Sequence, residues 1–185
     1  SMSLLSTSAM SADTPIKSVC FLCTGNICRS AMAHYFFEHE IQAAGVECEV
    51  FSRGLQAMTG WSATDEAEAV LSKRFGIDMS HHIAQQFTDY DLERADVVLC
   101  MTTDHLEEVQ EEYPALSHKA MTMMSVLPPG TKDRDGSVTD PYYGSPGGYF
   151  DVFDYMRPAL DVLLDVVQRG GSRADLGAAK GRAQR

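Results

Sequence analysis

The chain reads as an α/β protein, a three-layer sandwich with a parallel sheet between two layers of helices. Two observations carry this. Short apolar, strand-like runs alternate with helix-length stretches along the 185 residues, the pattern of a parallel sheet with crossover helices. The hydrophobic fraction of 44% is enough for one domain of this size to bury a proper core. The domain is expected over 16–168, with a loose leader at 1–15 and a loose tail at 169–185.

Taken in order, the Ser-, Thr- and Ala-rich residues 1–15 show no period, and Ser1-Met2 reads as a cloning scar. Residues 17–23 form the first strand. Residues 30–44 form a helix with Ala31, Tyr35, Phe36 and Ile41 on its apolar face, broken by Gly45. A short second strand spans 48–52. Residues 65–75 are helical and stop at Gly76, a C-cap. Thr88, with Asp91 three residues later, caps a short helix to 95. Residues 96–101 make the most apolar strand, and Thr103 is expected to cap a Glu-rich helix to 113. A weak fourth strand at 119–124 precedes a Pro-, Gly- and Asp-rich loop at 126–148. The last helix spans 149–168 and contains Pro158. Gly170-Gly171 and the basic, Ala-rich end read as disordered. No internal repeat is found.

Composition excludes several classes. A net charge of −11 and an isoelectric point near 4.8 argue against nucleic-acid partners, which need a basic face. No run approaches a membrane span and no basic-then-apolar leader occurs. The five cysteines, Cys20, Cys23, Cys28, Cys48 and Cys100, are odd in number and mostly lie in strands. That fits a reducing cytoplasm better than a disulfide framework. Cys20 and Cys23 match a C-x-x-C redox pattern, but Cys20 lies inside a strand rather than at a helix start, so it is read as core.

The most informative segment runs from Val19 to His34: Val-Cys-Phe-Leu-Cys-Thr-Gly-Asn-Ile-Cys-Arg-Ser-Ala-Met-Ala-His. A strand ends at Cys23, and Arg29 follows with five residues between them. A turn of that length can curl around one tetrahedral anion. The N–H groups of residues 24–30 and the positive end of the helix point to phosphate. Gly25 can supply a positive φ, and Asn26 is the next most tolerant. Arg29 offers a planar fork for two oxygens. The dipoles that hold phosphate also favour a cysteine thiolate, so the turn reads as a phosphate cradle with a nucleophile at its floor. A buried Cys and a capping Arg also occur in α/β proteins without chemistry, and a nucleotide loop is the other option. The Walker pattern, however, is absent.

The sequence Cys-Thr-Gly-Asn-Ile-Cys-Arg-Ser directly after a strand resembles the signature loop of the low-molecular-weight protein tyrosine phosphatases, and the likeness spans about 17–167. It implies a four-stranded parallel, Rossmann-like sheet and a metal-independent phosphatase without cofactor, acting on phosphotyrosine proteins. Carried over position by position, Cys23 attacks phosphorus while Arg29 and the loop residues Thr24, Gly25, Asn26, Ile27, Cys28 and Ser30 hold the phosphate. Ser30 also steadies the sulfur. Asp140, in Asp140-Pro141-Tyr142-Tyr143-Gly144, falls where the family carries its general acid. Read from composition alone, that segment is a common kind of turn. Tyr142 and Tyr143 can wall a slot for a flat ring, and Met58 takes the position of the opposite wall. Asn26, Ser52 and His81 occupy loop-bracing positions. On their own, Ser52 is a strand-end serine and His81 a surface histidine. Cys28 either packs the back of the loop or, as in relatives, forms a protective disulfide with Cys23.

The chain departs from the pattern at several places. Ala31 and His34 stand where bacterial members carry Pro and Glu, Ala84 where an Arg is common, and Met101-Thr102 where mammalian members have Met-Asp. Trp61 can reach the pocket rim, although burial elsewhere is the stronger expectation. The nearest rival is a protein-arginine phosphatase, which tends to have Thr at Ile27 and a smaller second aromatic. Ile27, Tyr142 and Tyr143 therefore favour phosphotyrosine. Arsenate reduction needs a resolving cysteine, for which only buried Cys100 is available. A pure binding module would lack Cys23 or Asp140.

Overall fold

The computed structural model describes residues 12–178. Four parallel strands, β1 (Ser18–Cys23), β2 (Glu49–Gly54), β3 (Val97–Cys100) and β4 (Ala120–Thr122), lie in the order β2-β1-β3-β4. The chain moves outward from β1 to β2, then crosses back to place β3 on the other side of β1. Cys23 pairs with Gly54 at one end of the β1–β2 ladder, and Leu22 pairs with Cys100 on the β3 side. The carboxyl ends of β1 and β3 therefore flank a topological switch point, the usual ligand crevice of such sheets.

Among the described residues five α-helices cover the sheet: α1 (Arg29–Ala43), α2 (Asp65–Phe75), α3 (Asp89–Arg94), α4 (Thr103–Glu112) and α5 (Gly147–Gln168). The two-residue period of β1 sorts its side chains between them. Val19, Phe21 and Cys23 join the core under α1, α2 and α5, whereas Cys20 and Leu22 join the core that includes Leu92 of α3 and Val109 of α4. Cys20 is fully buried, as expected. Among the described residues no helix is long and apolar enough to cross a membrane.

Local signals set the helix ends. Thr64 accepts a hydrogen bond from the Ala67 N–H, and Gly76 closes α2 at φ +65°. α3 carries the expected Thr88–Asp91 capping box. The cap of α4 is Thr102 rather than Thr103, because the Thr102 hydroxyl accepts from the His105 N–H at 3.1 Å. β4 is shorter than expected, since Met123–Val126 tightens into a 3₁₀ turn.

The expected leader and tail need correction where they are described. Pro15 and Ser172 form an antiparallel bridge, and the Ile16 N–H donates to the Gly171 carbonyl at 3.0 Å. Leu176 is buried against the core, and Arg173 donates to the Asp96 carbonyl at 3.3 Å. One buried leucine and this short pairing hold a segment whose polar composition reads as loose. Ser1-Met2 and the remainder of 1–11 and 179–185 lie outside the described residues.

Candidate active site

The cysteine loop leaves β1 at the switch point and turns into α1. The bend is made by Asn26, at φ +61°, and not by Gly25. Asn can hold this left-handed conformation when its side chain is tied locally, and here it is tied three ways. Its Nδ2 donates to Ser30 Oγ at 2.9 Å and to Ser52 Oγ at 3.0 Å, while its Oδ1 accepts from the Gln85 N–H at 3.0 Å. A Cβ at Gly25 would meet Met58 Cγ at 3.4 Å, an ordinary van der Waals contact.

Cys23 Sγ lies 2.9 Å from Ser30 Oγ and accepts from the Asn26 N–H at 3.3 Å. Because Asn26 already donates to Ser30, the Ser30 proton is free to point at the sulfur, which suits a thiolate. Ser52 also meets His34 Nδ1 at 2.8 Å. A hydrogen-bonded chain thus runs from His34 through Ser52, Asn26 and Ser30 to Cys23. Among the described residues no protein acceptor meets the N–H groups of Gly25, Ile27 or Cys28, which leaves them to an anion in the loop.

Arg29 is buried at the first position of α1. Its Nη1 donates to the Val138 carbonyl at 3.1 Å, and its Nη2 lies 3.5 Å from both Thr24 Oγ1 and Asp140 Oδ2. Arg29 Nε is buried with no partner among the described residues. An unpaired guanidinium N–H is costly to bury, and Nε with Nη2 forms the edge that grips two oxygens of one phosphate. Asp140 accepts from the Tyr142 N–H at 3.0 Å, so its carboxylate is fixed from behind by the turn that Pro141 begins.

These groups share one pocket of about 270 Å³, lined by Cys23, Thr24, Gly25, Ile27, Cys28, Arg29, Met58, Asp140, Tyr142 and Tyr143, with Gln56 in addition. Tyr142 and Tyr143 meet edge to face, 5.0 Å between ring centres. Tyr143 is 90% exposed and forms the outer lip. Cys28 also borders the back of the loop, with its sulfur 3.6 Å from the Tyr149 hydroxyl and 3.7 Å from Thr64 Oγ1. Burial, the largest influence, raises the Cys28 pKa; hydrogen bonds from Tyr149 and Thr64 oppose it, and the nearby Cys23 and Asp140 reinforce it.

His81 does not brace the loop: it is exposed, and its neighbour His82 takes that place. His82 Nε2–H donates to the Asn26 carbonyl at 2.7 Å, and Nδ1 accepts from the Tyr35 hydroxyl at 3.1 Å. Burial lowers its pKa below the ordinary value, so it holds the loop as the neutral imidazole. Trp61 is also not buried as expected but 52% exposed beside the site.

Sequence reading missed His105. Its Nδ1 can only accept from the Thr102 N–H, at 3.2 Å, so the proton sits on Nε2 and is donated to Thr24 Oγ1 at 2.8 Å. The bond spans the crevice between the ends of β1 and β3. Burial, helped by the positive charge of Arg29, brings the His105 pKa down to about 4. The capping pattern of α4 was the only signal available, and it pointed one residue away.

The sequence profile of the low molecular weight phosphotyrosine protein phosphatases matches residues 18–173. A low molecular weight protein-tyrosine-phosphatase of Streptomyces coelicolor is 32% identical over 160 residues, covering 81% of this chain and 93% of that protein. A protein-arginine-phosphatase of Geobacillus stearothermophilus is 35% identical over 147 residues, covering 80% and 90%. A crystal structure of the YwlE arginine phosphatase, a cysteine-to-serine mutant with a phosphorylated active-site serine, superposes with a TM-score of 0.75 at 28% identity. It covers 82% of this chain and 95% of that one. With its four-stranded parallel sheet and its cysteine loop at the switch point, the chain belongs to the low molecular weight phosphotyrosine protein phosphatase family.

Proposed function

We propose that this phosphatase hydrolyses phosphotyrosine in proteins through a phosphocysteine, with Cys23, Arg29 and Asp140 as its catalytic groups and no metal. One observation carries the reading: a cysteine sulfur with two hydrogen-bond donors, a buried arginine with an unpaired N–H and a carboxylate line the same 270 Å³ pocket. The Cys23 thiolate attacks phosphorus while the bond to the phenolic oxygen breaks. Asp140, protonated, passes its proton to that oxygen, so tyrosine leaves neutral. Water then attacks phosphorus, Asp140 takes its proton, and the sulfur departs as a thiolate facing the Ser30 hydroxyl. Arg29 and the free loop N–H groups bind the equatorial oxygens throughout, and supply the positive charge that phosphoryl transfer requires.

Ile27, Met58 and Tyr142 give the pocket apolar walls suited to a phenyl ring, which favours phosphotyrosine over phosphoarginine. Five unpaired cysteines fit work in a reducing cytoplasm. The test is turnover of p-nitrophenyl phosphate and of phosphotyrosine and phosphoarginine peptides, in EDTA, by wild type and Cys23→Ser. Metal-free turnover lost in Cys23→Ser, with phosphotyrosine preferred, supports the reading. Preference for phosphoarginine replaces the substrate and keeps the mechanism, and absence of turnover overturns both.

A further inference from the structure

Beside the catalytic pocket lies a second cavity of about 630 Å³, and the two share Ile27 and Tyr142 as walls. Trp61, 52% exposed, also lines it. The backbone of Trp61 is pinned: its N–H donates to the Met58 carbonyl at 2.9 Å, and its carbonyl accepts from the Ala84 N–H at 2.9 Å. A half-exposed tryptophan and a tyrosine give this mixed polar hollow two aromatic walls of the kind that meets a partner side chain. The cavity is also lined by Asp65 and Glu66, with no Lys or Arg among its lining residues, and neither carboxylate forms an ion pair among the described residues. The two acids favour the start of α2, but the helix start has no use for an aromatic-walled hollow of this volume.

We infer that this cavity receives an arginine side chain of the substrate protein, adjacent in sequence to the phosphotyrosine. The proposal rests on the phosphotyrosine reading of the neighbouring pocket. A phosphotyrosine seated over Cys23 passes Tyr142 at the wall common to both cavities, so its flanking residues emerge at the second one. A guanidinium is flat, stacks on Trp61 and Tyr142, and pairs with a carboxylate through two N–H groups. The two cavities then read opposite charges: Arg29 takes the phosphate dianion, while Asp65 and Glu66 take the cation. The overall charge of −11 attracts basic substrates from a distance, whereas the cavity requires the cation at one position along the peptide.

The experiment measures kcat/KM on phosphotyrosine peptides of otherwise alanine sequence, carrying Arg, norleucine or Glu at each flanking position in turn. The enzymes are wild type, Asp65→Asn/Glu66→Gln and Trp61→Ala. One arginine position is expected to raise kcat/KM by about five-fold or more over alanine. That gain should disappear in the double variant and shrink in Trp61→Ala. Turnover of p-nitrophenyl phosphate should stay within about two-fold in all three, since none of these residues lines the catalytic pocket. Equal rates for arginine and alanine at every position overturn the proposal. So does a norleucine gain equal to that of arginine, or an arginine gain that survives in the double variant. If the all-alanine phosphotyrosine peptide and p-nitrophenyl phosphate are not turned over at all, it is the underlying phosphatase reading that fails.

Discussion

Asp140 Oδ2 lies 3.5 Å from Arg29 Nη2, so without substrate the carboxylate faces the guanidinium edge that a phosphate group would grip. A bound phosphate dianion competes for the same N–H groups and leaves Asp140 beside a new negative charge.

Replacing Asp140 with Asn removes both the proton donor and the competitor. kcat on phenyl phosphate is expected to fall by about 10²–10⁴-fold, while the inhibition constant of inorganic phosphate stays the same or tightens. Steady-state kinetics with phosphate as inhibitor checks both. A kcat within about two-fold of wild type would remove Asp140 from the mechanism.

His105 makes stability depend on pH with a definite sign. Its pKa falls from 6.5 to about 4 in the folded protein, so the unfolded chain binds the proton first as the solution is acidified. The contribution of this group is fully present above 6.5 and drains away as pH falls toward 4. His105→Gln lacks this dependence. Urea midpoints near pH 7 and near pH 5 should show wild type losing more stability on acidification than the variant. Parallel losses would contradict the buried neutral imidazole.

Thiol labelling should be selective. Burial is the largest influence raising the pKa of Cys20, Cys28, Cys48 and Cys100, in the last two up to about 12. Their thiols are therefore poor nucleophiles at neutral pH. Cys23 Sγ instead accepts from Asn26 and faces Ser30. Limiting iodoacetamide is expected to label Cys23 first, and inorganic phosphate to slow that labelling, as read by peptide mass spectrometry. Faster labelling of Cys28 would contradict this assignment.

Gly54 supports the loop through closeness. A Cβ at this position would lie 2.5 Å from the Thr24 carbonyl oxygen and 3.0 Å from Ala57 Cα. Both are backbone atoms and cannot swing aside. Gly54→Ala should lose about 1–3 kcal/mol of stability and, by displacing Thr24, lower kcat/KM. Urea denaturation and kinetics on one preparation test the pair of effects. An unchanged midpoint with unchanged kinetics would show that the loop has slack.

What the sequence made legible was whatever is encoded within a few residues. The Cys23–Arg29 spacing, the Thr88–Asp91 box and the Gly76 stop are local chemistry, and each appears where the pattern placed it. Ser52, Tyr142, Met58 and Asp140 also reach the loop or the pocket. The misreadings have tertiary causes. Nothing local separates His81 from His82; which imidazole turns inward is settled by the distant Asn26 carbonyl and Tyr35 hydroxyl. His105 sits among glutamates on a helix that reads as solvent-facing, and it is buried only because α4 begins at the mouth of the crevice. Trp61 reads as core by its type, yet it borders a hollow that a linear pattern cannot show.

The bridge between Pro15 and Ser172 brings the two extremities of the described chain side by side just before β1, at the end of the sheet opposite Cys23. Cys23 is the last of the six residues of β1, so about 17 Å of extended backbone separates it from the start of the strand. A fusion partner or a solid support attached at residue 12 or 178 would therefore sit at the end of the sheet away from the catalytic mouth. The same proximity suits circular permutation of residues 12–178: a short linker would join those two positions, and new ends could open in the exposed turn at Gly130.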